Sequence, residues 1–330
     1  MEFPTTRMRR TRQTETIRRM VRESRLSIDD LIYPMFVVHG HNVKSEIKSL
    51  PGNYHLSIDR LVEECKKIHE LMIPAVLLFG LPELKDEMAT EAYDPNGIIP
   101  KAIKVLKSEI PDLMVIADVC FCEYTNHGHC GILKDGYLEN DLTLDLLRKS
   151  TLSYVKAGAD MVAPSCMLDG MIKTMREALE EHGYHKTLIM SYAAKYASSL
   201  YNPFFRHGTQ SVVAFGDKKT YQMDYANSDE AVREVAMDIA EGADIVMVKP
   251  AITYLDVVYR VKQEFGVPVA VYNVSGEYAM ISCAGRQELI DADAVMMEFL
   301  TSYKRAGADL ILTYFAKKVA RMLNEQGVIR

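Results

Sequence analysis

The chain has 330 residues, of which 48% are hydrophobic and 25% are charged, a composition typical of a soluble globular protein. Its formal net charge of -6 argues against a general nucleic-acid-binding protein, because such proteins carry a basic surface that neutralises phosphates. No apolar run approaches the roughly eighteen residues of a membrane span, so we expect no membrane contact. Six cysteines, three of them clustered, favour reduced thiols in the cytoplasm over a disulfide framework.

The first 26 residues form a basic segment that differs in charge from the rest of the chain. Its arginines are Arg7, Arg9, Arg10, Arg12, Arg18, Arg19, Arg22 and Arg25. The segment has no strong apolar face and ends at a turn beginning with Ser27. We expect residues 1–26 to be an arm that packs on another subunit, with a disordered arm as the alternative.

From Leu31 onward, short apolar runs alternate with amphipathic stretches. The predicted strands are 32–38, 75–80, 113–119, 161–165, 188–192, 245–249, 269–274 and 310–314, with 221–224 as a weak ninth. The predicted helices are 57–72, 98–109, 142–157, 169–182, 228–241, 253–265, two within 278–306, and 315–326. Gly-Ala-Asp turns before three of the strands are typical of parallel packing. The pattern predicts an α/β fold, a (β/α)8 TIM barrel over residues 27–330.

The connection between residues 194 and 227 is long for a compact domain, where loops beyond about fifteen residues are uncommon and usually functional. It is rich in aromatic and basic side chains. We therefore expect residues of about 196–224 to form an active-site lid.

A cysteine-rich loop follows the third predicted strand. Cys120, Cys122 and Cys130 have the spacing C-x-C-x7-C, and soft thiolates so arranged suit zinc. Three protein ligands leave a fourth position for water or substrate, as a catalytic zinc requires. The alternative is that these cysteines are small buried hydrophobic residues. His127 and His129, which lie between them, are either further ligands or residues that orient the ligands.

Two lysines lie at the ends of neighbouring predicted strands, where a TIM barrel carries its chemistry. Lys195 follows the fifth strand and Lys249 ends the sixth. An apolar wall and a second ammonium both lower the pKa of a lysine, which favours the free amine that forms a Schiff base with a carbonyl. The alternatives for Lys249 are a side chain that reaches solvent or one that binds a phosphate.

Six long motifs carry a resemblance to a known family. They are DVCFCEYTNHGHCG from Asp118, APS from Ala163 with Asp169-Gly170, MSYAAKYAS from Met190, GDKKTYQM from Gly216, MVKP from Met247 and YNVSGEYAM from Tyr272. With them the chain resembles the zinc-dependent porphobilinogen synthase (5-aminolaevulinate dehydratase) family. The resemblance implies a cytoplasmic hydro-lyase of tetrapyrrole and haem biosynthesis that condenses two molecules of 5-aminolaevulinate asymmetrically to porphobilinogen.

The resemblance also implies a role for each candidate residue around the lysines. Lys249 matches the lysine that forms a Schiff base with the propionate-side substrate, and Lys195 matches the lysine that engages the acetate-side substrate. Asp118 and Ser165 match residues that transfer protons beside them. The three cysteines match the ligands of a zinc ion that acts as a Lewis acid on the acetate-side molecule.

A further group of residues is implied to bind the two substrate carboxylates. Ser275 and Tyr314 match the propionate-side contacts, and Arg206, Lys218 and Gln222 match the acetate-side contacts supplied by the lid.

Three departures from the family pattern affect this assignment. The usual Gly-Pro-Phe-Arg is here Asn-Pro-Phe-Phe-Arg, one residue longer and ending at Arg206. Lys218 replaces a common arginine, so a point charge replaces a bidentate fork. Cys166 stands where many members have aspartate, which leaves the role of position 166 open.

Two expectations concern regulation and assembly. Glu234 matches a magnesium site near a subunit interface, with a solvated glutamate as the alternative. We expect a homo-octamer.

Two other functions fit a barrel with strand-end residues: a class I aldolase, which needs one imine lysine and no zinc, and a metal-buffering or scaffold protein without turnover.

Overall fold

The computed structural model describes residues 1–201 and 207–325. Eight strands form the central sheet: β1 (Leu31–Val38), β2 (Ala75–Leu81), β3 (Met114–Val119), β4 (Met161–Pro164), β5 (Leu188–Lys195), β6 (Ile245–Lys249), β7 (Val269–Asn273) and β8 (Leu310–Thr313). Each strand pairs in parallel with the next, and β8 pairs in parallel with β1. The sheet is therefore a closed barrel, as predicted.

Helices cover the outside of the barrel. They are α2 (Ile58–Glu70), α3 (Ile98–Glu109), α4 (Asn140–Ala157), α5 (Met171–Glu181), α6 (Asp229–Glu241), α7 (Leu255–Phe265), α8 (Ser275–Arg286), α9 (Ala292–Ala306) and α10 (Ala316–Glu325), whereas α1 (Glu15–Met20) belongs to the N-terminal arm. The stretch 278–306 does contain two helices, α8 and α9. Because parallel strands are covered on one face by helices and on the other by the barrel interior, β6 and β7 are buried along their whole length.

The Gly-Ala-Asp turns fix the register of neighbouring strands. Gly158 and Gly242 end α4 and α6 in the left-handed conformation, which glycine adopts without steric cost. The aspartate of each turn then accepts a hydrogen bond from a backbone N–H at the start of the preceding strand. The pairs are Asp160 with Val115, Asp244 with Ile189, and Asp309 with Val269, each at 2.8 Å.

Two features differ from, or add to, the predicted elements. The predicted ninth strand at 221–224 is wrong: this stretch forms one isolated bridge, from Met223 to Tyr196, because it is too short for a ladder. Short strands at Lys44–Glu46 and Tyr54–Leu56 form an antiparallel pair beside β1. Within the described residues, no helix combines the length and the apolar character that crossing a membrane would require.

Candidate active site

The carboxyl ends of β5 and β6 place two lysines side by side. Lys195 and Lys249 are paired positions of the two strands, and their side chains are only 3% and 4% exposed. The Lys195 ammonium donates a hydrogen bond to the carbonyl of Ser165, at the end of β4. Two amines of this kind, buried together at the mouth of a barrel, form a centre that can react with carbonyl groups.

Lys249 lies in an aromatic cage. Its Nζ atom is 4.6 Å from the ring centre of Tyr272, 5.0 Å from that of Tyr201 and 5.2 Å from that of Tyr192. Burial, and then the positive charge of Lys195, lower the pKa of Lys249 to about 7. A large fraction of Lys249 is therefore an uncharged, nucleophilic amine near neutral pH.

Asp118 and Ser165 form a polar pair beside the lysines. The Ser165 hydroxyl donates to Asp118 Oδ2 at 3.2 Å, while Asp118 Oδ1 is buried without a hydrogen-bond partner in the described structure. Burial, and then the nearby carboxylate of Glu123, raise the pKa of Asp118 to about 8. Asp118 can therefore hold a proton near neutral pH and exchange it with a group next to it.

Three thiols face each other across the loop after β3. The Sγ atoms of Cys120, Cys122 and Cys130 all lie within 4.8 Å of one another and belong to buried residues. Cys120 Sγ and Cys122 Sγ are 3.4 Å apart, and the carboxylate of Glu123 is 3.3 Å from Cys122 Sγ. The set consists of soft donors with the spacing of a tetrahedral site, and it fits a thiophilic ion such as zinc.

The two histidines of this loop lie outside the set of thiols. The two ring nitrogens of His129 are each 3.1 Å from a lid oxygen, the hydroxyl of Tyr221 and the carbonyl of Phe215. The backbone N–H of His129 donates to Nδ1 of His127 at 3.2 Å. These contacts connect the thiol loop with the lid and agree with the orienting role that was the alternative to metal ligation.

The described part of the lid is held against three loops of the barrel mouth. The ring of His55 is hydrogen-bonded to the Gly208 carbonyl at 2.6 Å. The Lys85 ammonium donates to the Gln210 carbonyl at 2.7 Å, and the thiol loop accepts a backbone bond from Ala214 at 3.0 Å. These bonds hold residues 208–214 against the barrel mouth, beside the loop that carries the thiols.

The lid brings two of its three predicted carboxylate contacts into the site. Lys218 is buried, and its ammonium donates to Cys130 Sγ at 3.6 Å. Gln222 accepts from the Tyr201 hydroxyl at 2.8 Å, and its amide nitrogen is buried without a partner in the described structure. Arg206, the third, lies outside the described residues.

The two predicted propionate-side contacts, Ser275 and Tyr314, follow β7 and β8. Ser275 begins α8 and its hydroxyl is buried without a partner in the described structure. The Tyr314 hydroxyl lies 2.8 Å from that of Tyr272. Buried polar groups are normally paired, so the unpaired atoms of Ser275, Gln222 and Asp118 indicate that the site is built to receive a polar ligand.

Sequence reasoning missed several residues of this site. Tyr192, Tyr201 and Tyr272 surround Lys249, but in the sequence they look like members of buried apolar strands and an aromatic loop. Glu123 was missed because it adjoins a cysteine rather than a strand end. The one local signal is Tyr192, which lies three residues before the strand-end Lys195 on the strand next to that of Lys249.

Glu234 lies away from the lysines, on the half-buried face of α6. Together with Asp169, Glu230 and Asp238 it lines a cavity of about 510 Å³. Burial, and then the charge of Asp169, raise the pKa of Glu234. Within the described residues, however, no three of the carboxylates that line this cavity come close enough together to hold a metal ion, and magnesium at Glu234 stays a prediction.

Known proteins resemble this chain in both sequence and structure. A family model described as Delta-aminolevulinic acid dehydratase matches residues 5–322. The chain belongs to this family. It is therefore a lyase, which confirms the resemblance inferred from the motifs and favours it over the aldolase and scaffold alternatives.

Relatives match the chain over nearly its whole length. A delta-aminolevulinic acid dehydratase of Synechocystis sp. is 54% identical over 327 residues, covering 98% of this chain and all of the relative. One from Bacillus subtilis is 49% identical over 319 residues, covering 97% of this chain and 98% of the relative. The crystal structure of the Toxoplasma gondii dehydratase with the product porphobilinogen superimposes with a TM-score of 0.94 at 42% identity, covering 97% of this chain and 92% of that one.

Proposed function

We propose that this chain condenses two molecules of 5-aminolaevulinate to porphobilinogen through Schiff bases on Lys249 and Lys195. The observation that carries the proposal is the register pairing of these two buried lysines opposite a cluster of three thiols. One amine for each substrate explains why the site needs two lysines. Because the thiols lie on only one side of the two lysines, the two substrate positions would be chemically different.

Lys249 would react first. With a pKa of about 7, the uncharged amine of Lys249 would attack the ketone of the first substrate. The carbinolamine then loses water, and the protonated imine acidifies the neighbouring C–H bond. Burial opposes the charge on Lys195, but the negative charges of the ionised Cys130 and Cys120 thiolates outweigh burial and raise the pKa of Lys195, so this lysine stays charged while Lys249 reacts.

Asp118 and Ser165 would carry the protons of these steps. The serine hydroxyl is bonded to one carboxyl oxygen, and the other oxygen is left for the substrate. A group with a pKa of about 8 gives up and regains a proton at modest cost near neutral pH. The pair therefore supports proton transfer during dehydration of the carbinolamine and removal of the acidified C–H proton.

We propose zinc as the ion held by Cys120, Cys122 and Cys130. Bound there, it would supply Lewis-acid polarisation of the acetate-side substrate. Lys218 and Gln222, with Arg206, would bind the carboxylate of that substrate, and the Ser275 and Tyr314 hydroxyls would bind the carboxylate of the other. The unpaired polar atoms of Gln222 and Ser275 support this assignment.

We also propose a cytoplasmic homo-octamer in which the basic arm, residues 1–26, packs on a neighbouring barrel. In support, α1 buries none of its residues, and Phe3, Met8 and Met20 are exposed. Such apolar side chains on an arm are expected to be covered by another subunit. We also propose magnesium at Glu234, which lies near the charges of Asp169 and Glu230.

The test is to incubate the purified chain with 5-aminolaevulinate, with and without a zinc chelator, and to measure the pyrrole by its colour reaction. We expect pyrrole that disappears on chelation and returns with added zinc. Zinc binding without any pyrrole would instead support the metal-buffering alternative. Reductive trapping of a substrate adduct without pyrrole would indicate imine chemistry of another kind.

A further inference from the structure

A cavity of about 430 Å³ is lined by residues of the outer helices α8, α9 and α10. Its described lining includes neither lysine of the candidate active site and none of the three thiols; Tyr314 is the one residue that the two sites share. Cavities of about 300–1,000 Å³ are the usual size for small organic ligands. This cavity is therefore a second candidate binding site on the barrel.

The buried side chains that line the cavity are mostly apolar. Ile281 and Met296 are only 3% and 1% exposed, and the rings of Tyr278 and Phe315 pack with their centres 4.3 Å apart. The Tyr278 hydroxyl already donates to the Pro51 carbonyl at 2.5 Å. The inner part of the cavity thus offers rings and aliphatic groups, which suit the apolar or aromatic body of a ligand.

Two of the four cations that line the cavity already have acidic partners. The Lys318 ammonium is paired with Asp293, and the Lys317 ammonium is paired with Glu64 at 2.5 Å. Asp293 is the one acidic residue in the described lining of the cavity. These two pairs are therefore neutral, and the charge of the cavity is decided by its other two cations.

Those two cations are arginines from different helices. Arg286 ends α8, Arg321 lies in α10, and both are exposed. Neither has an ion-pair partner in the part of the chain that the structure describes. Arg286 uses its Nε for a bond to the Ser282 carbonyl at 3.4 Å. Guanidinium groups bind carboxylates through two parallel hydrogen bonds, so both arginines are suited to hold an anion at the cavity.

We propose that this cavity binds a small carboxylate with an aromatic or aliphatic body. The carboxylate would be held by Arg286 and Arg321, and the body would pack on Ile281, Met296 and the ring of Tyr278. Neither part is sufficient alone. A bare anion would leave the apolar side chains uncovered, and an uncharged ring would leave the two guanidinium groups without a partner.

The basic arm of a neighbouring copy is a poor occupant of this cavity. Residues 1–26 contain eight arginines against three glutamates and no aspartate. Like charges brought together at an interface repel each other, and the unpaired charges of the cavity are positive as well. Charge complementarity therefore favours an anionic ligand over the arm.

The test is isothermal titration calorimetry of the full chain with three probes. 1-Naphthylacetate carries both a charge and a ring system, 1-naphthylacetamide keeps the ring system without the charge, and acetate has the charge alone. We expect 1-naphthylacetate to bind at one site per chain, about tenfold or more tightly than either of the others. No binding of 1-naphthylacetate, or equal binding of the acid and the amide, would overturn the proposal.

Substitution of the two arginines tests where the probe binds. The double variant Arg286→Gln with Arg321→Gln should bind 1-naphthylacetate about tenfold more weakly and should bind the amide as the wild type does. Because both side chains are exposed, circular dichroism should show an unchanged fold. Arg305→Gln is the matched control, since Arg305 is an exposed arginine of α9 that does not line the cavity. It should bind all three probes as the wild type does.

Two other results would place the probe elsewhere and overturn the proposal. The first is weaker binding in Ser275→Ala with unchanged binding in the arginine variant, which would assign the probe to the candidate active site. The second is a change in assembly size on addition of the probe, measured by light scattering, which would indicate that another copy of the chain covers the cavity. Since the readout is binding, the result does not depend on whether the chain makes porphobilinogen.

Discussion

Lys195 and Lys249 face each other as paired residues at the carboxyl ends of adjacent parallel strands. The register places one positive charge beside the other amine, inside a site from which water is largely excluded. Two positive charges that are buried together repel each other and lack hydration, so burial lowers the pKa of at least one of the two amines. Lys249, which is surrounded by tyrosine rings, therefore gives up its proton more easily, while Lys195 retains its own beside the thiols.

This relationship predicts which lysine is modified first. Borohydride reduction in the presence of 5-aminolaevulinate should place the adduct on Lys249, and mass spectrometry of tryptic peptides would identify it. Lys249→Arg should fold but lose all activity and all trapping, because a guanidinium cannot form an imine. Lys195→Arg should also be inactive but should still be trapped on Lys249. An adduct found only on Lys195 would contradict the order of events.

The pH dependence of reductive trapping follows from the pKa of Lys249. Below pH 7 the Lys249 amine is protonated and cannot attack, so the trapping rate should rise about tenfold per pH unit and level off above a pKa of about 7. In Lys195→Met the neighbouring charge is gone, so the midpoint should move upward. It should stay below 10.5, because burial, the larger cause, remains. An unchanged midpoint would show that Lys195 does not influence Lys249.

The thiol set predicts that substitution of a cysteine inside the set abolishes zinc binding, whereas substitution of a cysteine outside it does not. Cys120→Ala, Cys122→Ala and Cys130→Ala should each abolish bound zinc and pyrrole formation, because a three-thiolate site does not tolerate the loss of a ligand. Their circular dichroism should match the wild type, since the barrel core lies elsewhere. Cys283→Ala is the matched control and should keep both zinc and activity. Full activity after chelation would contradict the zinc assignment.

Glu277 links the loop after Lys249 to β7. Its carboxylate accepts backbone hydrogen bonds from Ala251 at 3.1 Å, Ile252 at 2.6 Å and Val274 at 2.8 Å. Glu277→Ala leaves these buried donors unpaired and should lower the free energy of unfolding by about 2–4 kcal/mol. Urea denaturation should detect this loss, whereas Glu298→Ala, at an exposed position of α9, should stay within about 0.5 kcal/mol of the wild type.

The arm predicts a change of assembly. If the chain forms the proposed octamer, removal of residues 1–26 should give smaller species with reduced activity, as measured by light scattering and by the pyrrole assay, because the apolar side chains of the arm would no longer contact a neighbour. If the full chain and the shortened chain are equally active monomers, the arm has no role in assembly.

The sequence by itself predicted the barrel, because eight apolar runs separated by amphipathic helices have few other ways to bury their surfaces. It also identified Lys195, Lys249 and the cysteine spacing, since the chemistry of a parallel barrel concentrates at the carboxyl ends of its strands. These features are local: each depends on the type and spacing of residues within one stretch of chain. The prediction of a strand at 221–224 was wrong because a short alternating pattern carries little information without a partner strand.

Only the tertiary structure decided which of these residues meet. The pairing of Lys195 with Lys249 and the tyrosine cage both depend on the register between strands that are far apart in sequence. A shift of one residue would turn each side chain to the opposite face of its strand. The register is set by long-range packing and by hydrogen bonds such as that from Val115 to Asp160, and the periodicity of a single strand does not encode it.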